Sequence, residues 1–180
     1  MQAIDDAESD DIVWLGMFYL ANRSVVDALE DASDRGVDVR LILDANKNAF
    51  GNNKAGLPNV PIANELTKHE NITIRWYDSG EDQYHTKLLF IQKLEGHSIM
   101  IGGSANHTTR NLNDLNLEND VLVMTPNDTA LYEDVTTYFE RLWGNKDGEF
   151  TKDYDWNKDA LTPLLKLTYW VQKLTGLTTY

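Results

Sequence analysis

The 180 residues predict an α/β fold, a three-layer α/β/α sandwich around a mixed, largely parallel central sheet. Three observations carry this. Residues 12–19 are a short, nearly continuous apolar run, the pattern of a strand buried on both faces. Val25, Ala28, Leu29 and Ala32 then recur at helical spacing, and residues 37–43 form a second apolar strand. Strand, helix and strand at this spacing make a βαβ unit, which pairs its strands in parallel and covers the sheet with a helix.

Each element has its own signal. Ser24 with Asp27 three positions on reads as a capping box, which places the first helix start at Ser24. Gly36 supplies the stop. Residues 44–59 form a polar loop longer than most connections, and such loops in compact domains are often functional. A helix is predicted over 61–70 and an alternating strand over 72–77. Two strands follow, 84–92 and 98–101, joined by a turn at Leu94, Glu95 and Gly96. Another strand is predicted over 115–124. Leu131, Val135, Tyr138 and Leu142 make one stripe of a helix over 127–143. The Trp and Tyr residues are read mainly as core. Thr162 followed by Pro163 starts a last helix, with Leu164, Leu167, Val171 and Leu174 on one apolar stripe, Tyr169 and Trp170 flanking it, and Lys166 and Lys173 as its charges. The chain divides into a lobe over 1–150 and an extension over 151–180 carrying this amphipathic helix.

Bulk composition narrows the function classes. The length suits one domain with a core that needs no staples. The absence of cysteine removes disulfides, thiolate zinc sites and a cysteine nucleophile. Sixteen basic against 29 acidic side chains give a net charge of −13, which counts against a protein that grips nucleic acid through its phosphates. No apolar run approaches the roughly 20 residues of a membrane span. The first residues lack the basic and apolar regions of a signal peptide and read like the middle of a longer protein.

The chemistry concentrates in two short stretches. His85 and Lys87 open an apolar strand, and a period of two puts both on one face, with Tyr84 and Thr86 on the other. Ser104 and Asn106 follow the next strand, behind Gly103. A hairpin brings the two pairs to one edge of the sheet. The resulting imidazole, ammonium, hydroxyl and carboxamide suit phosphoryl transfer: Lys87 and Asn106 can hold non-bridging oxygens, and His85 can attack phosphorus or move a proton near neutral pH. Asp44, Asn46 and Lys47 follow a strand end, where α/β proteins bind ligands, and read equally as a solvated loop. His107 reads as a loop histidine beside the motif.

The H-x-K pattern followed by G-S-x-N resembles the signature of the phospholipase D superfamily. The similarity extends through residues 108–112 and through Asn116, Leu117 and Glu118, and covers residues 11–143. It implies an α/β/α sandwich and a reaction through a covalent phosphohistidine, without metal or other cofactor. It makes His85 the catalytic histidine, Lys87 and Asn106 the phosphate grip and Ser104 a supporting residue. Glu118 resembles the acid that bonds the far nitrogen of the imidazole and fixes its tautomer. Two departures stand out. The family places an Asp seven positions after its His, where this chain has Gln92, and a structural consequence is expected there, not loss of activity. The hairpin between the motif halves is four residues longer.

The family uses two H-x-K motifs, and this chain has one: His69, His97 and His107 lack a lysine two positions on. The site is therefore expected to be completed by a second lobe of the same full-length protein or by a homodimer partner. As a second-lobe histidine, His85 would be acid to the leaving alcohol and then base toward an acceptor. The expected activity is a phospholipase D-like phosphodiesterase or phosphatidyltransferase on phospholipid, cardiolipin synthase-type transfer included. The alternatives are a homodimeric nuclease, which the acidic charge disfavours, and a non-catalytic lobe that binds phosphate. The tail helix either docks on protein or makes peripheral membrane contact, and membrane association of the full-length protein is the expected location.

Overall fold

The computed structural model describes residues 2–46, 48–49, 52–53, 55–78, 80, 82–113 and 115–175. Lys47 lies outside them. In chain order the elements are α1 (Gln2–Asp5), β1 (Ile12–Met17), α2 (Arg23–Asp34), β2 (Asp38–Leu43), β3 (Asn48–Ala49), β4 (Asn52–Asn53) and α3 (Asn59–Leu66). There follow β5 (Ile72–Tyr77), β6 (Lys87–Gln92), β7 (His97–Gly103), α4 (Thr109–Leu112), β8 (Asp120–Pro126) and α5 (Ala130–Trp143). The last are β9 (Thr151–Asp153), a 3-10 segment (Tyr154–Ala160) and α6 (Pro163–Thr175).

One seven-stranded sheet, ordered β8-β7-β6-β1-β2-β5-β9, carries the fold. The predicted βαβ unit is its centre, with β1 parallel to β2 and β2 parallel to β5. The sheet is mixed, but it is not largely parallel. The pairs β1–β6, β6–β7, β7–β8 and β5–β9 are antiparallel. The reason is local: the few residues between β6 and β7 allow a hairpin, whereas a parallel crossover needs about a dozen. Residues 151–153, at the start of the expected extension, are themselves an edge strand of this sheet.

Helices cover both faces. On one, Leu15, Leu41, Ile74 and Leu89 pack with Val26, Leu29, Ile62 and Leu66 of α2 and α3. On the other, Trp14, Ile42, Phe90 and Met100 pack with Phe139 and Leu142 of α5. Trp14 stacks on Phe139 at 5.3 Å between ring centroids and meets Trp143 edge-on at 5.4 Å.

Several boundaries differ from those predicted, each for a visible reason. The cap of α2 is Asn22, whose side chain accepts the Val25 N–H, so Ser24 lies inside the first turn. Gly36 does end that helix, at φ +91°, a value that favours glycine. The helix predicted over 61–70 runs from Asn59 to Leu66. The start of α5 is set by Thr129, whose hydroxyl accepts from the Tyr132 N–H. The strand predicted from Leu115 begins at Asp120, because the preceding residues are held by side-chain bonds to the β7 end described below. Among the described residues the apolar stripe of α6 is left exposed, at Leu164, Leu167, Val171 and Leu174. That helix is held instead by buried Leu165 and by Tyr169 and Lys173, which donate to Glu65 at 2.6 and 2.8 Å.

Candidate active site

The site forms where β1, β6 and β7 end together. Met17 pairs with Lys87, Leu88 pairs with Gly102, and one step on Lys87 stands opposite Gly103. His85 precedes β6 and shares its side with Lys87. The His85 ring lies 4.8 Å from the Phe18 ring, and the Lys87 ammonium lies over the same ring at 5.3 Å. Lys87 Nζ also donates to the His85 carbonyl at 3.1 Å. Tyr84 and Thr86 turn to the other face, where both reach the Tyr138 hydroxyl of α5. The alternation read from the sequence thus operates even though the strand proper starts at Lys87.

A buried polar network fixes this end of the sheet. Asp44, 4% exposed, accepts the Tyr84 N–H at 2.7 Å with one oxygen and the Asn46 N–H at 2.6 Å with the other. Asn59 accepts the Leu20 N–H and donates to the carbonyls of Phe18 and Asp44, while Asn46 also donates to the Phe18 carbonyl. Asp44, Asn46 and Asn59 are therefore not a solvated loop. They satisfy backbone groups that burial would otherwise leave unpaired, and they hold Phe18 and Tyr84, the residues that seat His85. Sequence reading left Asp44 open and missed Asn59 and Phe18. The available signal was the position of Asp44 and Phe18 at the C-terminal ends of two parallel strands.

Electrostatics set the imidazole. Burial pushes the His85 pKa below its usual 6.5, the Lys87 ammonium adds to that, and the Asp44 carboxylate opposes it. Burial also lowers the Lys87 pKa, with Glu118 acting against it. A neutral imidazole near pH 7 is competent to attack phosphorus or take a proton. An anionic diester bound alongside would raise its pKa and suit it to donate one.

The second half of the motif is built on a close approach. A Cβ on Gly103 would lie 2.2 Å from the Asn119 carbonyl oxygen, so glycine is required for β7 and β8 to meet there. Ser104 then exchanges bonds with the residues that lead into β8: its hydroxyl donates to Glu118 at 2.5 Å and accepts the Asn119 N–H at 3.0 Å. Asn111 donates to the other Glu118 oxygen. These contacts hold Glu118 below the usual carboxylate pKa, the Ser104 hydroxyl most of all. Among the described residues Glu118 is bonded to Ser104 and Asn111, not to the His85 imidazole. The tautomer-fixing contact expected for it is thus not made within this chain. Asn106 lies in the following turn, where its carbonyl accepts the Thr108 N–H and its Oδ1 is buried with no partner among the described residues. His107 is not a simple loop residue: its carbonyl accepts the N–H groups of Ala21 and Asn22, and its Nδ1 is buried without a partner among the described residues.

Gln92, at the family's Asp position, sits at the other end of β6. It accepts the Trp14 indole N–H at 3.0 Å and donates to the Tyr132 hydroxyl at 2.9 Å. Its role is to tie the sheet to α5.

A sandwich with a half-open cluster of His, Lys, Ser and Asn at one sheet edge defines a lobe of the phospholipase D class. The chain belongs to the family described as cardiolipin synthase, phospholipase D-like domain, whose model matches residues 1–143. Its fold is similar to that of Nuc from Salmonella typhimurium, a phospholipase D family member, with 23% identity, a TM-score of 0.65, and coverage of 85% of this chain and 86% of that one. NucT from Helicobacter pylori gives 20% identity, a TM-score of 0.57 and coverage of 79% and 84%. Phosphatidylserine synthase from Haemophilus influenzae Rd KW20 gives 14% identity and a TM-score of 0.62 over 93% of this chain, which spans 40% of that one. No curated protein matches. Among the described residues no helix is long and apolar enough to cross a membrane.

Proposed function

We propose that this chain supplies one H-x-K half-site of a phospholipase D-type phosphodiesterase or phosphatidyltransferase acting on phospholipid. The reading is carried by the seating of His85 and Lys87 together on Phe18, one step from the Gly103–Ser104 turn. A histidine of the second half-site attacks phosphorus, forming a P–N bond as the bond to the leaving oxygen breaks. His85 gives that oxygen its proton and leaves as neutral imidazole. It then takes a proton from water or an acceptor alcohol, whose oxygen attacks phosphorus and releases the first histidine. Lys87 and Asn106 hold the non-bridging oxygens, where charge collects. Ser104 and Glu118 brace the turn that carries Asn106. Phosphatidylserine synthase, of which this chain spans 40%, fits a half-site in a longer protein.

The homodimer reading has its own support: the chain spans 86% of Nuc, so a single lobe of this size is also a whole chain elsewhere. One set of assays decides. The 180-residue chain and a longer protein containing it are tested on phosphatidylglycerol and on single-stranded DNA, each beside His85→Ala, with the mass in solution measured. Lipid turnover abolished by His85→Ala supports the first reading. DNA cleavage by a dimer supports the second. No turnover by either protein overturns both and leaves a phosphate-binding lobe.

A further inference from the structure

Helix α6 is apolar on two opposite sides. One side is its seat on the protein, through buried Leu165 and half-buried Tyr169. The other holds Leu164, Leu167, Trp170 and Leu174, which are 73%, 58%, 59% and 65% exposed. At about 100° per residue these four fall within one arc of about 120°, roughly opposite Leu165. An apolar helix side is stable against an apolar surrounding. Among the described residues, protein covers one of the two apolar sides of α6. The helix also lies outside the part of the chain that the family model matches.

Charge identifies what covers the other side. All 29 acidic residues of the chain precede position 160; residues 161–180 contain Lys166 and Lys173 and no acid. With a net −13 overall and +2 in this segment, the remaining residues carry −15. Lys166 and Lys173 project along one flank of the exposed apolar arc, and Lys68, just past the end of α3, lines the same groove as Trp170. Glu65 lies in that groove too and is paired with Lys173 at 2.8 Å. Apolar residues with an interfacial Trp, bordered by Lys166 on a segment that carries no acid of its own, match the layered chemistry of a bilayer surface: acyl chains below, anionic headgroups beside. A second copy of this chain fits poorly. A two-fold contact through α6 would set the same lysines near one another and bring two bodies of net −13 together. The exposed arc of a helix about 20 Å long also offers on the order of 200 Å², well short of the roughly 800 Å² per partner of a stable dimer.

We propose that α6 is a peripheral docking element that lays Leu164, Leu167, Trp170 and Leu174 into the surface of an anionic bilayer, with Lys166 at the headgroups and Lys173 holding the helix to Glu65 of the protein. The acidic body orients the approach, because only this segment is attracted to a negative surface while the rest is repelled. The proposal builds on the phospholipid reading above, but vesicle binding is measured without turnover, so either can fail alone.

The test is co-sedimentation of the full 180-residue chain with vesicles of equal phosphatidylglycerol and phosphatidylcholine, and of phosphatidylcholine alone. Binding to the anionic vesicles is expected to be at least about fivefold greater and to fall as salt rises. Leu167→Asp is expected to weaken it about tenfold or more, and Lys166→Glu by about fivefold. Both side chains are exposed, so the melting temperature should hold. Brominated acyl chains should quench fluorescence in the wild type and much less in Trp170→Phe, which keeps its binding. His85→Ala should bind as the wild type does. Equal binding by wild type and both charge variants, or binding without bromine quenching, would overturn the proposal. So would a dimer that fails to bind vesicles and that Leu167→Asp dissociates, which would assign the face to a second copy. Vesicle binding without lipid turnover would sink the catalytic reading alone. Turnover of detergent-dispersed lipid without vesicle binding would sink only this one.

Discussion

The imidazole of His85 rests on the ring of Phe18 with their centroids 4.8 Å apart, and the ammonium of Lys87 lies over that same ring. The histidine is therefore partly stripped of water and sits beside a cation. Both push its pKa below 6.5, with Asp44 pulling the other way. Proton NMR titration of the His85 ring should place its midpoint below 6.5. Lys87→Met should move it up, because a neighbouring positive charge is lost. Asp44→Asn should move it further down. Movement of either variant in the opposite direction would refute this account of the site's electrostatics.

The approach of β7 to β8 at Gly103 leaves no room for a methyl group. Gly103→Ala must push Asn119 away, and the reciprocal bonds between Ser104, Glu118 and Asn119 go with it. A loss of about 2 kcal/mol is expected, lowering the melting midpoint by about 6 °C. Activity should fall more than stability, since the turn bearing Asn106 is anchored there. Calorimetry beside a turnover assay checks both.

Gln92 should behave in the opposite way. Its two bonds join Trp14 of β1 to Tyr132 of α5, and it lies at the far end of β6 from Lys87. Gln92→Ala is expected to cost about 1–3 kcal/mol in urea unfolding, by stranding the buried indole N–H, while leaving kcat/KM within about twofold. A large catalytic loss at unchanged KM would contradict a structural role.

His107 predicts a pH limit. Burial pushes its pKa down to about 4, against 6.5 for the free side chain. Between those values the unfolded chain holds a proton that the folded chain does not. Stability should therefore fall as pH drops from 6.5 toward 4, by at most about 3 kcal/mol, and show no further loss from this group below that. Melting curves between pH 7 and 4 should show the slope in the wild type and a shallower one in His107→Gln.

The sequence made the centre of the fold and the motif legible for physical reasons that are easy to state. The run through β1, the periodicity of α2 and the glycine at position 36 are local patterns, and a βαβ unit follows from them. The pairing of His85 with Lys87 needs only the two-residue period of extended chain. What it concealed depends on distance in space. Asn22 caps α2 because its side chain reaches Val25, and nothing in composition ranks it above Ser24. Asn59 reads as a loop asparagine until Leu20, Phe18 and Asp44 are brought around it. Antiparallel pairs outnumber parallel ones because β6, β7 and β8 return on one another, a fact of connection length that strand patterns do not encode. Glu118 resembled a partner for the imidazole by its place in the motif, but its carboxylate turns to Ser104 and Asn111.

The four extra residues of the motif hairpin have a practical use. The turn after β6, at Leu94, Glu95 and Gly96, is exposed, and β6 and β7 carry it about 20 Å from Lys87 and Gly103. The chain has no cysteine of its own. A single cysteine at Glu95 would thus accept one dye, spin label or surface tether at a known place. The labelled protein could report its orientation on a surface with His85 and Lys87 left untouched at the opposite end of the sheet.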